Sequence, residues 1–146
     1  MDNSEITGQI IKAAYAVYNR LGKGFLEKVY QNAMFIELTE MELDVVKELP
    51  IEVFYKRKNV GVFYADLMVE GHIVVELKAV EHLAPIHEVQ LVNYLNGSGL
   101  KIGLLINFGD KVEVKRKYDV VRSQKSEVRR QKTEDSSQKT VVRRQV

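Results

Sequence analysis

Residues 61–80 read GVFYADLMVEGHIVVELKAV, and the places where charge interrupts this stretch decide the fold. Two apolar runs, Gly61–Val69 and His72–Val80, flank Glu70-Gly71, a pair suited to a tight turn, so the pattern predicts an antiparallel hairpin. Side chains alternate across a strand, which puts Glu76 and Lys78 on one face about 7 Å apart. Asp66 interrupts the first strand. A turn at Glu70-Gly71 sets Asp66 opposite about residue 75 and diagonal to Glu76, where neighbours lie within roughly 5–8 Å. Charges in strands this apolar are costly unless paired or put to use. The register therefore predicts two carboxylates and one ammonium in a common pocket.

Such a set has a defined chemistry. Two carboxylates without thiolates make a hard oxygen site suited to Mg²⁺ or Mn²⁺. An ion held there acidifies a bound water and offsets phosphoryl charge, while a neighbouring lysine stabilises the extra negative charge of the transition state. Spacing alone is also met by a Glu76–Lys78 ion pair on a wet face, and that is the simpler reading of so common a string.

Working outward, the helical and strand periods place the remaining elements. Ile6, Ile10, Ala14, Val17 and Leu21 recur at helical spacing, with Gly22 and Gly24 as the stop. A second helix carries Leu26, Val29, Tyr30, Ala33, Met34, Leu38 and Met41 on one broad apolar face. Glu27 borders that face at i, i+3 and i+7 with Tyr30 and Met34; it is either an acid that joins or orients the metal site or a helix-start acid favoured by the macrodipole. Val45–Tyr55 reads as a strand whose Pro50 suggests an edge or bulge, followed by a turn at Lys56-Arg57-Lys58-Asn59. Pro85 begins a third helix, Ile86–Asn96, closed by Gly97-Ser98-Gly99. His87, Gln90 and Tyr94 form a polar stripe on it, either the wet face or a contact to substrate phosphate. Lys101–Phe108 is a continuous apolar run, a buried strand, and Val112–Tyr118 a last one. The order is α-α-β-β-β-α-β-β. The helix before Lys101 is long enough to be the crossover of a parallel pair. The expected fold class is α/β in the broad sense, a mixed sheet flanked by helices.

The whole chain sets the outer limits. Its 146 residues are 45% hydrophobic and 29% charged, enough for one core and too few for two. It has no cysteine, which excludes disulfides and thiolate metal sites. No apolar run nears the roughly 20 residues of a membrane span, and Met1–Thr7 lacks a signal-peptide pattern, so a cytoplasmic protein without membrane contact is expected. The net charge of +2 hides an asymmetry: residues 120–146 carry eight Lys/Arg against three Asp/Glu, and residues 1–119 carry fourteen against seventeen. The tail repeats in sevens (VRSQKSE, VRRQKTE, DSSQKTV, VRRQV) with about one valine per repeat, too little to bury as a coiled coil. It is expected to be a low-complexity, disordered basic tail, separate from a folded domain over 1–119. The charge balance of that domain gives no reason by itself to expect a nucleic-acid partner.

Four strings taken together carry a resemblance: Gly24-Phe-Leu-Glu27-Lys-Val-Tyr30; Tyr64-Ala-Asp66; Val75-Glu76-Leu-Lys78; and Pro85-Ile-His87-Glu-Val-Gln90-Leu-Val-Asn-Tyr94. In this order and spacing they resemble the GxxExxY protein family, which is grouped with the PD-(D/E)XK nuclease superfamily. The likeness runs from about residue 5 to residue 118. It implies a restriction-endonuclease-like αβββαβ core and a nuclease that cleaves phosphodiesters, expected in DNA, with Mg²⁺ or Mn²⁺ and a metal-activated water. It further implies that Asp66 and Glu76 are the metal ligands, that the Leu77 carbonyl joins them, and that Lys78 is the motif lysine. Glu27, Tyr30, His87, Gln90 and Tyr94 would contact substrate or stand just behind the ligands. Ala65 departs from the motif proline, at a position that bears no chemistry. A non-catalytic nucleic-acid or protein-interaction module on the same fold, or a structural domain without metal, remains the alternative.

Overall fold

The computed structural model describes residues 1–119; the heptad tail lies outside the described residues. Its elements are α1 (Asn3–Leu21), α2 (Glu27–Glu40), β1 (Val45–Tyr55), β2 (Lys58–Val69), β3 (Ile73–Lys78), α3 (Pro85–Ser98), β4 (Ile102–Phe108) and β5 (Val112–Tyr118), in the order the periodicity predicts. They form one mixed five-stranded sheet, ordered β1-β2-β3-β4-β5, with helices on both faces: a restriction-endonuclease-like α+β architecture. All neighbours pair antiparallel except β3 and β4, which are parallel and joined through α3. No helix among the described residues is long and apolar enough to cross a membrane.

Local chemistry sets the element ends. Asp2 caps α1 by accepting from the Glu5 N–H at 2.8 Å, while the Glu5 carboxylate accepts from the Asp2 N–H at 2.9 Å. This reciprocal pair satisfies two donors that a helix start leaves open. Gly22, at φ 74°, ends the helix where a side chain would be strained. Ile6, Ile10, Ala13, Ala14 and Val17 then form one buried stripe.

That stripe packs with Tyr30, Met34 and Leu38 of α2 on one face of the sheet, against Leu67, Val69, Ile73, Val75, Leu77, Leu104 and Phe108. On the other face, α3 lays Leu91 and Leu95 on Ile51, Phe63, Met68, Val74 and Leu105. A sheet covered on both sides should read as continuous apolar runs in its centre. Every residue of β4 is indeed buried. Each large side chain in these clusters contributes roughly 1.5–3 kcal/mol by leaving water.

Three expectations are corrected. The buried stripe of α2 is Tyr30, Gln31, Met34 and Leu38, whereas Leu26 and Val29 are exposed. The helix is rotated because Tyr30 stacks flat on Phe108, centroids 4.4 Å apart, which turns Gln31 inward beside it. The turn between β1 and β2 contains only Lys56 and Arg57, since Lys58 and Asn59 already pair with Tyr55 and Phe54. Gly97 and Ser98 belong to α3, and Gly99 in the left-handed region is its stop.

Tyr30 also departs from its expected role beside substrate. It is fully buried, its hydroxyl donates to the Gly22 carbonyl at 2.6 Å and accepts from the Phe25 N–H at 3.3 Å. It ties the α1–α2 loop to the core. Tyr30→Phe should therefore leave that loop's polar groups unpaired and cost about 1–2 kcal/mol. Thermal melting would show it, while any catalytic rate measured at a temperature where both proteins are folded should stay within about twofold of wild type. A large rate loss without a stability loss would return Tyr30 to the site.

Candidate active site

Strand β2 pairs with β3 only over Leu67–Val69, with Leu67 opposite Val75. The hairpin is thus one residue out of the expected register, and Asp66 stands level with Glu76 rather than diagonal to it. Beyond Leu67 the two strands part, and the side chain of Asp66 fills the gap: its Oδ2 accepts from the Leu77 N–H at 2.7 Å. On β3, Val75 and Leu77 turn into the cluster under α1 and α2, so alternation sends Glu76 and Lys78 to the face that α3 covers. The carboxyl groups of Asp66 and Glu76 lie within hydrogen-bonding reach of each other, and Lys78 is near enough for its charge to act on both.

Electrostatics distinguishes this cluster from a surface ion pair. Burial, and then the charge of Asp66, push the Glu76 carboxyl up to about 8; the Asp66 N–H and the Lys78 charge oppose the rise. Burial pushes Asp66 up as well, with the Leu77 N–H pulling it back. The Oε2 atom of Glu76 is buried without a hydrogen-bond partner among the described residues. Two adjacent, desolvated carboxyls with an unsatisfied oxygen are a poor resting place for two negative charges and a good one for a divalent cation. The donor set therefore fits Mg²⁺ or Mn²⁺.

The sign of the pH dependence follows. With the folded value raised from 4.5 to about 8, the native state keeps a proton that the unfolded chain has lost. Metal-free stability conferred by this group is full below about 4.5 and falls as pH rises to about 8. Glu76→Gln mimics the protonated form and should remove the fall, leaving the variant several degrees more stable than wild type at pH 8.5 in chelator. Parallel melting curves for the two proteins from pH 5 to 8.5 would contradict this assignment.

Three residues that the strings did not single out hold the cluster in place. Gln31, 4% exposed, donates to the Asp66 carbonyl at 2.9 Å, and its amide is among the groups that hold the Glu48 carboxyl below its usual range. Glu48, at φ 54°, interrupts the β1–β2 pairing between Lys47↔Leu67 and Leu49↔Ala65. It is paired with Lys28, and its charge is among those raising Asp66. Glu48 is thus a third acid beside the pair. Asn107, fully buried, lies opposite Lys78 across the parallel pair. Its Oδ1 accepts from the Val80 N–H at 2.9 Å, and its Nδ2 donates to the Val80 carbonyl at 2.8 Å and to Glu113 at 2.9 Å. It fixes the chain where it leaves the lysine. A lone amide inside the apolar run 102–108 was the available signal, since a buried amide must find partners.

The other expected residues are placed differently. Glu27 is exposed in the first turn of α2, where an acid suits the helix N-terminus. His87 accepts at Nδ1 from the Ala84 N–H at 3.1 Å, which makes it a helix cap. Tyr94 stacks on Phe63 with centroids 3.8 Å apart, so its ring is part of the contact between α3 and β2. Gln90 is exposed on α3. None of these four is seen in hydrogen-bond contact with the acid pair among the described residues. Glu81, His82 and Asp110 bring three further ligand atoms within 4.8 Å, but all three are exposed and Asp110 is paired with Lys23.

Comparison with curated proteins returns no match. Among solved structures, the one described as "Crystal structure of SSO0001" is similar at 18% identity, covering 91% of this chain and 69% of that one, with a TM-score of 0.46, and so carries no weight for function. The family model described as the PD-(D/E)XK nuclease superfamily matches residues 4–117, all but the first residue of α1 and the last of β5. The acid pair on β2 and β3, the lysine two residues on, and this match along nearly all of the described chain place the protein in one group: it belongs to the PD-(D/E)XK nuclease superfamily.

Proposed function

We propose that the protein is a metal-dependent nuclease that hydrolyses phosphodiester bonds in DNA, and that within the superfamily it is a GxxExxY protein working in the cytoplasm. The observation that carries this reading is the half-buried Asp66–Glu76 pair, whose raised carboxyls and unpartnered oxygen suit a divalent cation. Asp66, Glu76 and the Leu77 carbonyl would hold the ion. When bound, Mg²⁺ or Mn²⁺ supplies charge neutralisation at the phosphoryl group and lowers the pKa of a water.

The chain's own groups do the rest. The Leu77 N–H holds Asp66 in one orientation, and Gln31 anchors its backbone from behind. Lys78 presents a positive charge beside both acids, where it would stabilise the phosphorane-like charge as it develops. The cover of α3 over this face keeps the site partly dry, which strengthens each of these interactions.

A cleavage screen tests the reading: supercoiled, linear and single-stranded DNA and RNA, each with Mg²⁺ or Mn²⁺. Cleavage of DNA that chelator abolishes is expected. The excess of acids over bases in residues 1–119 favours one second reading, a non-catalytic module on the same fold. Metal binding without cleavage of any of these substrates would select it.

A further inference from the structure

We infer that the β1–β2 ribbon is a DNA-binding arm whose tip, Lys56, Arg57 and Lys58, grips the phosphate backbone of duplex DNA, an inference that rests on the nuclease reading. Strand β2 leaves β3 at Asp66 and continues for eight more residues with β1 as its one strand neighbour, Val60 bulging out of the register, about 27 Å of strand ending at Lys58. The arm therefore starts at the acid pair and ends in three adjacent, exposed cations. Glu52 is the sole acid between Leu49 and Ala65. Outside the arm, residues 1–119 carry eleven Lys/Arg against sixteen Asp/Glu, so the tip is a positive point on an acidic body. That distribution favours a polyanion at the tip and repels it elsewhere.

The turn itself carries a second sign. Lys56 and Arg57 both have positive φ, 51° and 68°. A two-residue hairpin turn of this hand is most easily made by Asn-Gly, and side-chain-bearing residues are strained in it. Strain kept at an exposed tip, where cheaper residues would fold better, points to use of the side chains. Lys56 also lies over the Tyr55 ring, 5.5 Å from its centroid. A two-stranded ribbon has the width to enter the major groove, and its outer face offers Val60, Val62 and Tyr64 for apolar contact.

The test is fluorescence anisotropy with a labelled duplex of about 20 base pairs, in chelator, using the full chain and two variants. Lys56→Gln/Arg57→Gln/Lys58→Gln should melt as wild type does, weaken duplex binding about tenfold or more, and reduce the salt slope by roughly 2–3, one step for each phosphate no longer neutralised. Lys56→Asn/Arg57→Gly should melt a few degrees higher while binding more weakly, a combination that a purely structural turn would not give. Unchanged affinity and slope in both variants, or no duplex binding by wild type, would overturn the arm. So would variants whose only change is in sedimentation, which would mark the ribbon as a protein-contact surface. If the wild-type chain neither binds Mn²⁺ nor cleaves any substrate while the tip still governs duplex affinity, the nuclease reading falls and the arm stands.

Discussion

Alanine at Asp66, Glu76 or Lys78 should each lower metal-dependent cleavage by about 10²–10³-fold or more, the effect of removing a preorganised group from transition-state charge. The three losses should differ in kind. Asp66→Ala and Glu76→Ala remove an acid from the pair and should abolish cation binding as well as turnover. Lys78→Ala leaves both acids and should keep cation binding while losing rate. The acid variants should fold, because each removes a desolvated carboxyl whose ionisation burial opposes. Cleavage that survives both Lys78→Ala and Asp66→Ala would belong to a contaminant or another site. Glu27→Ala provides the contrast: the residue is exposed in the first turn of α2, and its loss should cost only a few tenths of a kcal/mol and little rate.

Asn107→Ala should produce the largest loss of stability among the polar substitutions. The amide is fully buried and satisfies both the N–H and the carbonyl of Val80. Its removal strands those groups beside the chain exit from β3, at a cost of about 2–4 kcal/mol and a fall in melting temperature of roughly 8–15 °C. Rate should fall too, since Val80 is two residues from Lys78 and this clamp sets the direction of the strand end. Denaturant unfolding and cleavage kinetics measured below the variant's transition would separate the two effects. A melting temperature within 2–3 °C of wild type would mean that the loop finds other partners.

The fold was legible in the sequence wherever burial is two-sided or a turn is chemically obligatory. The run 101–108 read as a buried strand, and Glu70-Gly71 read as the turn of a hairpin. Legibility ended where tertiary packing chose between similar options. Val29 and Gln31 are two positions apart on one helix, and the stacking of Tyr30 on Phe108 decided which of them faced inward. The tip turn was drawn too wide because Asn59 is a common turn residue, whereas strand pairing carries through it to Lys58. At the proposed site, Asp66, Glu76 and Lys78 drew notice as candidates because charge in an apolar strand is conspicuous. Their supports were less so. Glu48 sits in a strand with exposed neighbours, and nothing in its surroundings announces a kink at that residue. His87 and Tyr94 carry chemistry in principle, yet a cap and a ring stack occupy them here.

The proposed chemistry depends on Asp66 and Glu76 holding one divalent cation between them. Calorimetric titration with Mn²⁺ near pH 6.5, in two buffers of different ionisation enthalpy, tests this directly. One ion per chain should bind with release of about one proton, displaced from the raised Glu76 carboxyl, and Glu76→Ala should abolish both the binding and the release. Binding that persists unchanged in Glu76→Ala, or no binding by the wild-type chain, would contradict it.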